Sequence, residues 1–513
     1  MSNTPAMSRA EAPLSTQASW LMLAKTLAFS FTLVLPLLLV RRLSQEDFGL
    51  YKQIFLVVNT AFTLLPLGLG MSAYYFLPRE PQRQPQVVFN IFLFLFIVSA
   101  TFCSVIILFP SLLLRLFNSG EVAAFAPLIG FVVVTWITSS LLEVIAIARQ
   151  EFRLATLVVI LSQLSKAALM LGAVAFFGSV RSLLYAALLQ GVVQTAVLVF
   201  YLRSRFGPFW RRFDWTLWRV QLAYALPFGF ASMLLRSQTE LDNYFVSYQF
   251  GPAAYAIYAV GCFELPLLGL LAESISAVTI PRVSALQKAG ARQEIVELLA
   301  RVTRKLSLVL LPLYVLLLVV GREFITFLFT EQYAGSWPIF ALNLTLMPLL
   351  LITSAYDPVM RAYADHRYFM LKLRTVLLVV MVAGLVFATA RFGLVGAIAV
   401  KILVSIVDRL AVAVKVKGIL GMGWSDLPLF GDIGRVAVVA LAAGGVTLAA
   451  RAPLADARPF YVLAVGGLVF AAVFGGGLLA LRVLTPEERE TVRRRFLFWQ
   501  RPGPPKPAAD QAV

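Results

Sequence analysis

Long apolar runs dominate the chain, and short polar stretches separate them. Fourteen runs stand out, at 17–40, 52–76, 87–114, 123–148, 155–177, 181–203, 223–249, 253–281, 304–330, 337–362, 369–390, 394–417, 433–450 and 460–482. A helix of about 20 residues, rising 1.5 Å per residue, crosses the hydrocarbon of a bilayer. Strands of a membrane barrel would instead run about 10 residues with alternating polarity. The pattern therefore predicts an all-α polytopic membrane protein of about 14 transmembrane helices. Lys and Arg in the connections and the span ends beside them divide 28 to 9 between the two sides. Basic residues accumulate on the cytoplasmic side, so both termini are expected there.

The stretch 223–281 organises the rest. It reads as two spans joined by the turn Gly251-Pro252-Ala253. It also begins a second copy of the pattern. Ser44 through Tyr51 follows the first span as Gly251 through Tyr258 follows the seventh, and an aromatic and a Tyr recur three residues apart in both. Gly178 and Gly393 occupy matching places before the sixth and twelfth spans. Six spans is an even number, so both copies start on one side, as parallel repeats about an axis along the membrane normal do. The expected organisation is a disordered N-terminus at 1–16 and a first six-helix lobe at 17–203. A basic, Trp-rich linker at 204–222 leads to a second lobe at 223–417. A Gly-rich linker at 418–432, two extra helices at 433–482 and a cytoplasmic tail at 483–513 complete the chain. Residues 291–304 are amphipathic, with Ile295, Leu298, Leu299 and Val302 on one face. This segment is expected to lie on the membrane surface beside anionic headgroups.

Composition sharpens the reading. Of 513 residues, 60% are hydrophobic and 14% charged, against roughly 45–50% and 25% in a soluble domain. The formal charge of +18 is the excess of loop Lys and Arg and does not call for nucleic acid. Cys103 and Cys262 both sit in apolar runs, so no disulfide or metal framework is expected. The single histidine, His366, lies in a connection, and no nucleotide, zinc-hydrolase or nucleophile-elbow motif occurs. The sequence thus points to neither an enzyme nor a cofactor. A membrane polymerase or glycosyltransferase is the non-transport alternative. It would need a large outer loop or an acidic pair there, and the only such pair, Glu46-Asp47, reads as turn chemistry.

Chemistry is left to ionisable residues inside the spans, which are costly in hydrocarbon and therefore face a bundle interior or a wet cavity. They are Lys25, Glu143, Lys166, Arg236, Glu240, Asp242, Glu264, Glu273, Lys401 and Asp408. Glu143 with Lys166, and Lys401 with Asp408, read as neutralising pairs. Arg236 lies about 13 residues from each end of its span, roughly 20 Å deep. Lys25 occupies the equivalent span of the first repeat. Two deep cations suit an anionic headgroup such as a pyrophosphate. Glu240, Asp242, Glu264 and Glu273 are candidates to couple a proton or sodium ion, or to line the cavity. The amides Asn59, Gln163, Gln190, Gln194, Gln238 and Asn343 are candidates to meet sugar.

Several segments together carry a resemblance. They are Arg42 through Tyr51, Glu240-Leu241-Asp242-Asn243, Phe250 through Tyr258, Pro281-Arg282-Val283-Ser284 and Phe392 through Ala397. In their order and spacing the chain resembles the polysaccharide-lipid flippases of the multidrug/oligosaccharidyl-lipid/polysaccharide (MOP) exporter superfamily, which act in O-antigen and exopolysaccharide synthesis. The resemblance implies two six-helix lobes set in a V about a central cavity, rocking between inward- and outward-open states. It implies transfer of an undecaprenyl-pyrophosphate-linked oligosaccharide across the bacterial inner membrane. Polymerase and glycosyltransferases of the same pathway would be its partners. Lipid II flippases and cation-coupled exporters of the superfamily remain alternatives.

Overall fold

The computed structural model describes residues 34–363, 367–454, 457–481 and 483, apart from the side chains of a few residues within helices, Glu273 among them. Lys25, His366 and the tail beyond Val483 lie outside the described residues. Among the described residues the chain is helical throughout, without strands. Ten helical stretches among the described residues are long and apolar enough to cross a membrane.

Ser44 opens the first long helix, α1 (Gln45–Leu64), as its N-cap: its Oγ accepts from the Asp47 amide at 3.0 Å. Glu46 and Asp47 are thus first-turn acids that suit the positive end of the helix dipole. The expected span at 52–76 is not continuous. Pro66, with Leu67 at φ 46° and Gly68 at φ 72°, breaks it before α2 (Leu69–Arg79). Next come α3 (Gln84–Leu108), α4 (Ala126–Ala148), α5 (Phe152–Phe177) and α6 (Val180–Phe206). Short helices at Ser111–Phe117 and Gly120–Ala124 turn the chain between α3 and α4.

The expected linker is only half a linker. Phe209 is buried edge-on against Phe89 and Phe92, and residues from Trp215 onward are already helical. Asn90 donates to the Gln221 side chain at 3.1 Å and to the Asp214 carbonyl at 3.0 Å, fixing this segment to α3.

The following helix, α7 (Trp215–Gly261), bends at Gly251, whose φ of 76° and ψ of 177° leave the helical region just before Pro252. The turn expected there is this kink. The span expected at 253–281 is interrupted: residues 263–265 are not helical, and α8 (Pro266–Lys288) starts at a proline. Nor does that helix stop at Pro281; it runs on to Lys288.

Residues 291–304 also differ from expectation. They form the start of α9 (Arg292–Phe329), continuous with the span that follows. Ile295 and Leu299 are fully buried among Val359, Val412 and Val416, so this apolar face packs on protein rather than on headgroups. The chain continues through Glu331–Ser336 and Trp337–Asn343 to α10 (Leu346–Ala362). The long helix α11 (Arg367–Leu420) kinks at Gly393, where φ is 59°. Gly178, its expected counterpart, likewise has a positive φ of 60°.

The last pair, α12 (Gly431–Arg451) and α13 (Pro459–Ala480), packs together and against α9. Arg304 pairs with Asp432 at 3.1 Å near one end, and Arg451 pairs with Glu323 at 2.6 Å near the other. The charge bias also predicts an orientation. Single cysteines at the exposed positions Gly120 and Gly335, placed in a protein with Cys103 and Cys262 changed to Ser, should react with an impermeant thiol reagent applied to intact cells. Cysteines at Gln82 and Gly290 should not, and the opposite labelling would invert the topology.

Candidate functional site

A cavity of about 820 Å³ lies between α1, α5, α7, α8, α10 and the second half of α11. Its walls carry the polar residues that the apolar pattern leaves unexplained. From α1 come Lys52 and Asn59, from α5 Gln163 and Lys166, from α7 Arg236, Thr239, Glu240 and Asn243. Glu264, in the break before α8, faces it, as do Lys401, Ser405 and Arg409 of α11. Helical spacing accounts for the alignment: Lys52, Phe55, Leu56 and Asn59 fall on one face of α1, and Arg236, Thr239, Glu240 and Asn243 on one face of α7.

Most of the charges are already matched. Arg236 donates to Glu240 Oε1 at 2.9 Å, one turn along, while Glu240 Oε2 accepts from Asn243 at 2.9 Å. Asp242 is fully buried behind the wall and does not line the cavity. Its Oδ2 accepts from the Tyr258 hydroxyl at 2.8 Å and from Lys401 Nζ at 2.9 Å. This overturns the expected pairing of Lys401 with Asp408. Asp408 lies 3.3 Å from the neighbouring Arg409, and Lys401 reaches across to α7. Seven residues apart on one helix put two side chains on one face two turns apart, whereas the crossing with α7 brings Asp242 within hydrogen-bond reach.

Lys52 and Lys166 make no ion pair among the described residues. Lys52 Nζ lies 5.5 Å from the Phe48 ring centre, and Lys166 Nζ lies 3.9 Å from that of Trp136. The expected pairing of Lys166 with Glu143 is therefore replaced by a cation–π contact. Trp136 is itself held by a 3.0 Å hydrogen bond from its indole to the Ala187 carbonyl.

Of the sequence candidates, Arg236, Glu240 and Glu264 meet at the cavity with Asn59, Gln163 and Asn343. Gln190 is buried and donates to the Ser162 carbonyl at 3.4 Å, and Gln194 accepts from Ser139 at 3.4 Å, so both serve helix packing. Gln238 does not line the cavity. Glu273 lies on α8, and nothing further is described of its side chain. Sequence reasoning missed Lys52, counted as a loop charge, and Arg409. Position on a face shared with Asn59 was the available signal for Lys52.

A polysaccharide biosynthesis protein family matches residues 38–338. No curated protein matches the chain. Among solved structures, the lipid II flippase MurJ in an inward closed conformation superposes with a TM-score of 0.67 at 15% identity, covering 93% of this chain and 99% of that one. A mutant form of VcmN, a MATE transporter of Vibrio cholerae, gives 0.52 at 14% identity, covering 80% and 99%. A MOP superfamily transporter from Pyrococcus furiosus, described as having a binding pocket of reversed polarity, gives 0.52 at 16% identity, covering 79% and 96%. At these identities the likeness is one of fold.

Proposed function

We propose that this chain, which belongs to the polysaccharide biosynthesis protein family, carries a pyrophosphate-linked lipid oligosaccharide from one leaflet of the bacterial inner membrane to the other. The observation that carries the reading is the pair of lysines, Lys52 and Lys166, on one wall of a cavity whose other cations are held by acids. Two ammonium groups that make no ion pair among the described residues, at membrane depth, call for an anionic guest. Arg236 lines the same cavity, half released to it with a side-chain exposure of 37%. A volume of about 820 Å³ suits a diphosphate and the first sugars. The lipid tail and distal sugars would extend beyond it. Asn59, Gln163 and Asn343 supply donors and acceptors for sugar hydroxyls.

Lys25, outside the described residues, is proposed as a further basic group for the same pyrophosphate. Transport would proceed by alternating access between two lobes, residues 17–203 and 223–417, with both termini in the cytoplasm. Of the four acids considered for ion coupling, Glu264 is the one on the cavity wall without an ion pair among the described residues, which makes it the proposed coupling group.

Lipid II transfer is a second reading, favoured by the high coverage of the MurJ superposition. Both substrates present a pyrophosphate, so the lysines serve either. The test is transfer in proteoliposomes loaded with a fluorescent undecaprenyl-pyrophosphate oligosaccharide or with fluorescent lipid II, read by quenching from one side. Faster transfer of the oligosaccharide supports the first reading; preference for lipid II supports the second; transfer of neither would overturn both.

A further inference from the structure

The helix pair α1–α2 and α7 run antiparallel, and their backbones touch at two places. At one, a Cβ on Gly49 would overlap the carbonyl of Pro252. At the other, a Cβ on Gly229 would overlap the carbonyl of Leu67, and one on Gly68 would come within 3.0 Å of the Ala225 oxygen and the Gly229 nitrogen. Between these points both helices turn polar side chains to the cavity: Lys52 and Asn59 from one, Arg236 and Asn243 from the other. Gly49 and Leu67 are 18 residues apart, about 27 Å at 1.5 Å per residue. Gly229 and Pro252 are 23 apart, about 34 Å by the same rise. The hydrocarbon core of a bilayer is about 30 Å thick. The two contacts therefore flank the cavity-lining stretch of this helix pair, one toward each membrane face.

Each contact is supported by its own neighbours. Near Gly49, Gln53 Nε2 donates to the Ser247 carbonyl at 3.4 Å and Phe48 meets the Tyr333 ring edge-on at 5.8 Å. Near Gly229, Tyr75 stacks on Tyr224 at 4.7 Å. Both ends of this seam are in close main-chain contact, at glycine in each case, because no other residue lets two main chains approach so closely. We propose that the two glycine contacts are paired latches, and that the side-chain size at each sets which mouth of the cavity is open. A methyl group at Gly49 wedges its mouth apart and leaves the other closed; a methyl group at Gly229 does the reverse. A loaded cavity exchanges with one side at a time because the two latches are separate close contacts, each beside a break in a helix, at residues 66–68 in one and at Gly251 in the other.

The test needs no substrate, so its outcome stands apart from what the cavity carries. Spin labels go at the exposed pairs Glu46 and Gln249, and Met71 and Ala223, in protein with Cys103 and Cys262 changed to Ser. Pulsed dipolar distances are then read on purified protein in lipid nanodiscs. Gly49→Ala should lengthen the 46–249 distances by several ångström and leave 71–223 unchanged; Gly229→Ala should show the opposite pattern. As a check that does not depend on a tolerated wedge, a disulfide between Gln53→Cys and Ser247→Cys should hold the 46–249 distance short even when Gly49 is Ala, until reductant is added. Unchanged distances in the folded alanine variants would overturn the proposal, as would opening of both mouths by either one, or a lengthened 46–249 distance with the disulfide formed.

Discussion

Lys401→Met is expected to strip most of the folded protein from the membrane. The substitution leaves Asp242 as a carboxylate with no exposed surface and only the Tyr258 hydroxyl to stabilise its charge. Breaking a buried ion pair by removing one partner costs about 3–5 kcal/mol, because the remaining charge is left uncompensated in a poor dielectric. Asp242→Asn should do comparable harm by stranding the Lys401 ammonium. The double variant Asp242→Asn with Lys401→Met removes both charges and should recover most of the yield and of the midpoint of thermal unfolding in detergent. A single variant as stable as the parent would mean that the pair is solvated. Failure of the double variant to recover would place the loss elsewhere than in the stranded charge.

Charge reversal at Lys52 or Lys166 should leave the protein folded and stop transfer. Neither ammonium makes an ion pair among the described residues, so replacing it with Glu breaks none. It does place a carboxylate where a phosphate should sit. A hydrogen bond to a charged group contributes about 1.5–3 kcal/mol, so losing one slows transfer by about 10- to 150-fold, and reversal adds repulsion. Lys52→Arg and Lys166→Arg keep the charge and should keep a measurable fraction of the rate. Arg236→Ala should be milder than either reversal, since Glu240 already neutralises that guanidinium and retains the Asn243 donor. Initial rates in proteoliposomes, at matched protein content, decide the matter. Parental rates in both reversed proteins would remove the lysines from substrate binding.

The places where the sequence was readable, and where it was not, have a common physical cause. Hydropathy and charge bias mark spans because lipid imposes them residue by residue, and Gly251 and Gly393 stand out because glycine between apolar runs supplies a backbone angle that others avoid. Arg236 and Glu240 were legible as partners because one helical turn separates them. Lys401 and Asp242 are 159 residues apart, and only the crossing of two helices joins them. The breaks at 65–68 and 263–265 lie inside longer apolar runs, and only Pro66, Gly68 and Pro266 mark them. Lys52 was hidden by sitting near the start of its helix, where a basic residue reads as loop. The apolar face of 291–304 was visible, but whether protein or headgroup covers it depends on residues 60 to 120 positions away.

The clamp on the last two helices bears on how the molecule moves in its bilayer. Arg304 and Glu323 are 19 residues apart on α9, about 28 Å along its axis, and each is bound to α12, one through Asp432 and one through Arg451. A rod fixed to another at both ends can neither slide nor swivel. The last two helices are therefore freight on α9: they travel with whatever α9 does, and they broaden that side of the protein only. In the proposed alternating-access cycle, a tilt of α9 would sweep a wider arc of lipid there than the same tilt would on the opposite side, so the membrane would resist that stroke unevenly. In that cycle, bilayer stiffness and thickness would act on the second half of the chain with a longer lever than on the first.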